Sequence, residues 1–195
     1  MAITIELKNY DAVVRELKDC PKDLAKGARR TMIDMAKREV KTVARNEVTK
    51  VYNIKKSDVS EKLDHYDETG RMKLSGVDIP FFVVEFQQDK SYTPLHFQMT
   101  PRERPASGRR YTPKWKPLKS GGKVPIPSET GQPVFLASRH GVSLPWERLG
   151  KRRMPIEVIH SHMSVPQMID NEKVQPHIEE ELSRRMEKGL ARYCK

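Results

Sequence analysis

A long amphipathic pattern without a proline is the feature that most constrains the fold of this chain. It runs between Pro21 and Asn53, with apolar residues at spacings near 3.6 and with Lys, Arg and Glu on the opposite face. The apolar stripe comprises Leu24, Ala28, Met32, Met35, Ala36, Val43, Ala44, Val48 and Val51. The pattern predicts one long helix, which a proline such as Pro21 can begin, packed against a sheet or a neighbouring helix.

Shorter patterns surround the long helix. Residues 3–7 alternate between apolar and polar, which predicts a short strand. Val13, Val14 and Leu17 then share one helical face, and Ser57 is a good N-cap for a further short helix.

A second amphipathic helix is predicted at the C-terminal end, after Pro176. Its apolar face comprises Ile178, Leu182, Met186, Leu190 and Tyr193. Glu179, Glu180 and Glu181 are expected in its first turn, where the helix dipole favours negative charge.

The middle of the chain changes to a period of two after Gly70. The residues of these strand-like runs are Met72, Leu74, Ile79, Phe81, Val83, Glu85 and Phe97, and further strands are predicted at 134–137, 142–148 and 156–160. No crossover helices separate the runs, so an antiparallel sheet or a small barrel is expected.

Together the patterns predict a single α+β domain over residues 1–195. A long N-terminal helix and a C-terminal helix pack on the antiparallel β-sheet or small barrel, and a long basic Pro/Gly-rich loop projects from it. Residues 1–66 are expected to be mainly helical, 70–163 mainly β, and 165–195 to form the C-terminal helix.

The basic loop, residues 101–127, differs in composition from the rest of the chain. It holds six prolines, three glycines and eight cationic residues, with Glu103 as its only acid. The cations are Arg102, Arg104, Arg109, Arg110, Lys114, Lys116, Lys119 and Lys123. So little apolar surface predicts a long mobile loop. Its charges can neutralise phosphates without reading sequence, and Tyr111 and Trp115 can stack on bases or on Arg planes. Ordering against a neighbouring protein subunit is at least as good an interpretation.

The charge of the whole chain points in the same direction without identifying a partner. Lys and Arg outnumber Asp and Glu by 37 to 26, which gives a formal net charge of +11. Such a field favours nucleic acid, an anionic membrane surface or an acidic protein. No apolar stretch is long enough to span a bilayer, and the N-terminus does not resemble a signal peptide, so synthesis in the cytoplasm is expected.

Catalytic and metal-binding patterns are weak. His160 and His162 lie two apart on a predicted strand, but no third ligand stands at a convincing offset, so two ordinary histidines on one sheet face are favoured. Residues 121–123, Gly-Gly-Lys, are interpreted as a linker because no strand precedes them and no helix follows. Cys20 and Cys194 have neither disulfide-framework nor zinc-ligand spacing and are expected to be reduced thiols. We therefore expect no enzyme activity, metal or cofactor.

The C-terminal third resembles a known family. Residues 153–159 read RMPIEVI and residues 163–168 read MSVPQM. This order of a basic turn, a Pro-Ile-acid-apolar strand, a Val-Pro turn and a terminal amphipathic helix is similar to the lambdoid minor tail protein Z family of bacteriophages. The likeness extends to the long basic helix, the strands and the basic loop, although the loop here spreads its charges where the lambda member has a compact arginine run.

The resemblance implies a structural virion protein at the junction of phage head and tail, and no catalytic residue. Members act late in tail maturation and help to place the DNA end for ejection. A homo-oligomeric ring, a hexamer by the sixfold symmetry of the tail, would contact neighbouring tail-terminator, tail-tube or head–tail connector proteins. The eight cations of the loop would then face a lumen that holds duplex DNA.

Two other classes of function remain open from the residues alone. One is a stand-alone nucleic-acid-binding protein of prophage origin, which would bind DNA tightly as a monomer with steep salt dependence. The other is a tail assembly factor that is absent from the finished particle.

Overall fold

The structure is a computed structural model that describes residues 2–4, 21–60, 65–87, 91–106 and 110–193. It confirms the predicted α+β class, with helices in the N- and C-terminal regions and three small antiparallel sheets between them. The helix predicted around Val13, the last three residues of the first predicted strand, and both Cys20 and Cys194 lie outside the described residues.

The long N-terminal helix is present with one irregularity. Pro21 precedes helix α1 (Lys22–Asp34), a π-helical turn follows (Met35–Glu39), and helix α2 (Val40–Val51) completes it. Most of the predicted apolar stripe is buried, and Leu24, Met32 and Val51 are partly buried. Its core residues are Ala28, Met35, Ala36, Val43, Ala44 and Val48. The helix ends where the backbone of Tyr52 turns extended, and a short helix α3 (Lys56–Ser60) follows.

The first sheet lies against the beginning of the long helix. Its strands are β1 (Ala2–Thr4), β2 (His65–Leu74) and β3 (Val77–Gln87), in the order β1-β3-β2. Ser75 and Gly76 join β2 to β3 with φ angles of 48° and 75°, the left-handed conformation that tight hairpin turns need. Ile79 of β3 packs on Ala25 and Ala28 of α1, so small helix residues allow close contact with the sheet.

The other two sheets are built from short strands. A two-stranded sheet pairs β4 (Lys114–Trp115) with β5 (Val124–Pro125). A three-stranded sheet in sequential order contains β6 (Phe135–Arg139), β7 (Val142–Arg148) and β8 (Ile156–Val158). The strands predicted in this region are confirmed, except that the last one ends before Ile159.

Two helices close the fold. Helix α4 (Val165–Ile169) begins with a capping box, in which the Ser164 hydroxyl accepts from the Gln167 backbone N–H and the Gln167 side chain accepts from the Ser164 backbone N–H. Helix α5 (Gln175–Ala191) buries Ile178, Leu182 and Met186, as its pattern predicts. The three glutamates after Ile178 do not lie in its first turn, which was predicted, because the helix already begins at Gln175.

Helices α1 and α5 approach each other closely. A Cβ added to Gly189 would lie 2.5 Å from Thr31 Cγ2, so only glycine fits this crossing without movement. Beside it, Arg185 pairs with Glu39 of the π-helical turn and with Glu181 on its own helix. Hydrogen bonds from Arg184 and Arg185 lower the pKa of Glu181 to about 2. The two terminal regions of the chain are thereby joined by both packing and charge.

Candidate nucleic-acid interface

The basic segment, residues 101–127, was predicted to be a mobile loop, but its described residues 111–126 include side chains that pack on the core. Trp115 is only 6% exposed and Ile126 only 4%. The Trp115 ring meets the buried Phe97 ring edge to face, with centroids 5.4 Å apart. Trp115 and Ile126 bury apolar surface, although the segment as a whole is poor in apolar residues. Their burial offsets the conformational entropy that is lost when the segment becomes ordered.

Backbone hydrogen bonds fix one side of the segment to the residues before it. Thr100 and Lys114 exchange N–H···O bonds of 2.7 and 2.8 Å, and the Lys116 N–H donates to the Phe97 carbonyl at 2.9 Å. Strand β4 therefore lies alongside residues 97–100, so the two ends of the intervening chain lie next to each other.

The other side of the segment is fixed to the end of helix α2. The Asn53 N–H donates to the Pro117 carbonyl at 2.8 Å, and the Lys119 N–H donates to the Val51 carbonyl at 2.9 Å. The Asn53 side chain also donates to the Lys116 carbonyl at 3.1 Å. The segment thus covers the point at which the long helix stops.

The two aromatic residues of the segment have structural partners. Tyr111 is half-buried, and its hydroxyl accepts the Leu136 backbone N–H at 2.9 Å. Trp115 is enclosed by the core, so the interpretation that it stacks on nucleic-acid bases is wrong in this conformation. Sequence reasoning allowed both rings to stack on bases or on Arg planes, because interleaved aromatic and basic residues look alike in a loop and in a packed segment.

Most of the predicted cations lie on the surface of the basic segment. Arg109 lies outside the described residues, and Lys116 is partly buried. The exposed ones are Arg102, Arg104, Arg110, Lys114, Lys119 and Lys123. Across the described ranges, none of the segment's cations forms an ion pair.

The structure brings some of the cations together and leaves others apart. Lys114 lies opposite Thr100 in the backbone pairing, and Lys123 Nζ donates to the Thr100 hydroxyl at 2.5 Å. Two cations, Lys114 and Lys123, therefore meet at Thr100. Lys116 and Lys119 lie instead beside the end of α2. Thr100 and Asn53, which organise both groups, carry no local sequence signal that singles them out.

Exposed cations held on an ordered frame can attract phosphates without contacting base edges. Recognition of this kind rests on the charges of the side chains. The arrangement suits reversible contact with a polyanion.

The two histidines lie on a loop and not on one face of a strand, because β8 ends at Val158. His160 Nδ1 is 3.4 Å from the Ser91 carbonyl oxygen, and His162 Nε2 is 2.6 Å from Glu129 Oε1. Both line an open groove of about 570 Å³. In the part of the chain that the structure describes, no three His, Cys, Asp or Glu side chains are arranged to hold a metal ion.

The same groove contains a buried carboxylate, Glu147, which is 4% exposed. Its Oε2 accepts from the Ser128 hydroxyl at 2.7 Å and from the Thr130 N–H at 3.2 Å, and the Thr130 hydroxyl lies 3.0 Å away. Burial raises the pKa of Glu147, but the hydrogen bonds from Ser128 and Thr130 outweigh it and hold the pKa below the usual range. Glu147 is thus an ionised acceptor that orders residues 128–130.

Within the described ranges, no helix is long and apolar enough to cross a membrane. No protein-family model, curated protein or solved structure matches the chain.

Proposed function

We propose that the chain is a structural subunit of a tailed bacteriophage, a tail-completion or neck protein that forms a ring at the junction of head and tail. The observation that carries the proposal is the stretch 153–168, whose sequence resembles the minor tail protein Z family. In the fold this stretch provides β8 and the capped start of α4, and its Ile159, Val165 and Met168 are buried. The resembling residues are therefore those on which the fold depends.

The basic segment supports a role beside DNA. Six exposed cations stand on an ordered frame, and none is neutralised by an acid among the described residues. A subunit that lines a passage for duplex DNA needs charges of this kind, since phosphate contacts hold DNA without sequence preference. A closed ring lets one chain supply every subunit interface, and the sixfold symmetry of such tails suggests a hexamer.

The position of the protein in the particle tests this proposal. Antibody-gold labelling of purified particles, from a phage that encodes the chain, is expected to place the label at the head–tail junction. Particles from a phage that lacks the gene should carry no label and provide the control for the specificity of the antibody. Label on the capsid shell or the distal tail tip would contradict the proposal.

A second candidate, a stand-alone nucleic-acid-binding protein, is favoured by the same unpaired cations. The two functions differ in what the isolated monomer does. A stand-alone protein would bind duplex DNA tightly, with a steep dependence on salt. A ring subunit gains its affinity on assembly, because several copies then contact one duplex. DNA affinity measured on either side of the assembly concentration separates them.

A further inference from the structure

The turn between β7 and β8 presents a second basic surface, which we call the hairpin tip, residues 149–154. It reads Leu-Gly-Lys-Arg-Arg-Met, and all its residues except Gly150 are exposed. Leu149 is 49% exposed and Met154 is 62% exposed. The tip thus combines three consecutive cations with two apolar side chains that face solvent.

The base of the tip is fixed by contacts on both sides. The Leu149 N–H donates to the Pro155 carbonyl at 3.2 Å and closes the turn. The Thr130 hydroxyl lies 2.9 Å from the Arg148 carbonyl, and the Arg148 guanidinium lies over the Phe135 ring, 5.3 Å from its centroid. The tip therefore extends from strands β7 and β8, whose ends are held in place by these contacts.

The charge of the tip is not neutralised from within the described chain. Lys151, Arg152 and Arg153 form no ion pair with any described residue. The nearest acids along the strands are Glu147 and Glu157, which face each other in the β7–β8 register. The Glu147 carboxylate already accepts hydrogen bonds from Ser128 and Thr130.

We propose that the hairpin tip contacts the phosphate backbone of duplex DNA without sequence preference. Its three cations add to those of the basic segment, to which the tip is connected along the chain. Residues 126–130 lead from β5 to Thr130, which touches the base of the tip at Arg148. The inference rests on the proposed function for the presence of DNA in the ring, but the binding itself is a property of this chain.

Duplex DNA fits the tip better than a lipid bilayer does. Each cation near an anionic membrane contributes about 1 kcal/mol, and stable attachment needs a strong apolar anchor as well. Two half-exposed apolar side chains supply little of that. DNA needs no such anchor, because contacts by three cations release three counterions from a dense line of phosphates.

The test compares two variants with the same change in charge. One replaces the tip cations with Lys151→Gln, Arg152→Gln and Arg153→Gln. The control replaces three exposed cations without described ion pairs, in Lys22→Gln, Lys37→Gln and Lys173→Gln. Either triple lowers the formal net charge from +11 by three, to +8. Fluorescence anisotropy with two labelled duplexes of unrelated sequence then gives affinity over a range of salt concentrations for the full chain.

The tip variant is expected to lose about tenfold or more in affinity at low salt, equally for both duplexes. Its slope of log affinity against log salt should be shallower by about two to three, at roughly 0.9 per lost phosphate contact. The control should change much less, and thermal unfolding should show both variants folded. Equal losses in the two variants, or no DNA binding by the unaltered chain at low salt, would overturn the proposal.

Two further probes separate DNA from other anionic partners. A polyglutamate peptide and vesicles rich in phosphatidylglycerol are titrated in the same way. Loss of binding to either probe in the tip variant, with DNA binding intact, would overturn the proposal. If the tip binds DNA but gold label lies elsewhere on the particle, the proposed function fails while the inference about the tip stands.

Discussion

At the scale of single residues, Glu147 carries its charge in a buried position, where a carboxylate is stable only if donors surround it. Glu147→Gln keeps the shape but replaces the ionised acceptor with an amide, whose NH₂ group then lacks a buried acceptor. The free energy of unfolding is expected to fall by about 1–3 kcal/mol. Urea unfolding at neutral pH measures the loss.

Glu157 provides the matched control because it faces Glu147 across β7 and β8 but is exposed. Glu157→Gln removes a like charge opposite Glu147, so stability should stay within about 0.5 kcal/mol or rise slightly. Equal losses from the two substitutions would mean that the burial of Glu147 has no special importance.

The pKa of Glu147 also predicts a dependence of stability on pH. Because the pKa is lower in the folded chain, the unfolded chain takes up the proton first as the pH falls. The stabilisation that the ionised carboxylate provides is therefore fully present above the ordinary glutamate pKa. It is lost as the pH falls through the lowered pKa of the folded chain. The stability difference between the unaltered chain and Glu147→Gln should shrink over that acid range. A difference that grows on acidification would contradict this assignment.

At the scale of elements, Trp115 is the residue that holds the basic segment on the core. Trp115→Ala should lower the free energy of unfolding by about 3–5 kcal/mol and expose the amides of residues 114–116, 118 and 119 to hydrogen exchange. Lys114→Ala, which changes the exposed neighbour on the same strand, should cost no more than about 0.5 kcal/mol. Rapid exchange of these amides in the unaltered chain would restore the idea of a mobile loop.

The crossing of α1 and α5 gives a second test at this scale. Gly189→Ala places a Cβ against Thr31 Cγ2, and the crowding should destabilise the fold by about 1–3 kcal/mol. Alanine's better helix propensity, about 1 kcal/mol, offsets part of that loss. Combining it with Thr31→Ala removes the crowding atoms, so the double variant should be more stable than the two single losses predict. Strict additivity would show that the helices do not meet at Gly189.

The elements that the sequence predicted correctly are those with a local periodic pattern. The long helix, α5 and the strands β6 to β8 each carry their pattern within one continuous stretch. The packing of the basic segment depends instead on distant partners, such as Asn53 and Phe97, that no local pattern reveals. At the candidate site, composition singled out the cations but did not reveal that Trp115 is buried, because its burial is decided by the tertiary fold.

At the scale of the whole molecule, the chain combines a packed core with two exposed basic regions, the basic segment and the hairpin tip. The first sheet packs against the long helix through Ile79, and most of the exposed cations of the basic segment and the hairpin tip lie in the connections between strands. Like charges on neighbouring copies would repel each other in an empty ring and be offset by DNA phosphates in a filled one. This distribution of charge therefore suits a subunit that assembles around DNA.

The most direct test of the central claim is the number of copies of this chain in each finished particle. Quantitative mass spectrometry of purified particles, with isotope-labelled peptides from this chain and from the major capsid protein, gives that number. The account predicts a small fixed count, about six for a ring that closes with the tail's symmetry. Absence of the chain from particles that are otherwise complete and infectious would contradict it.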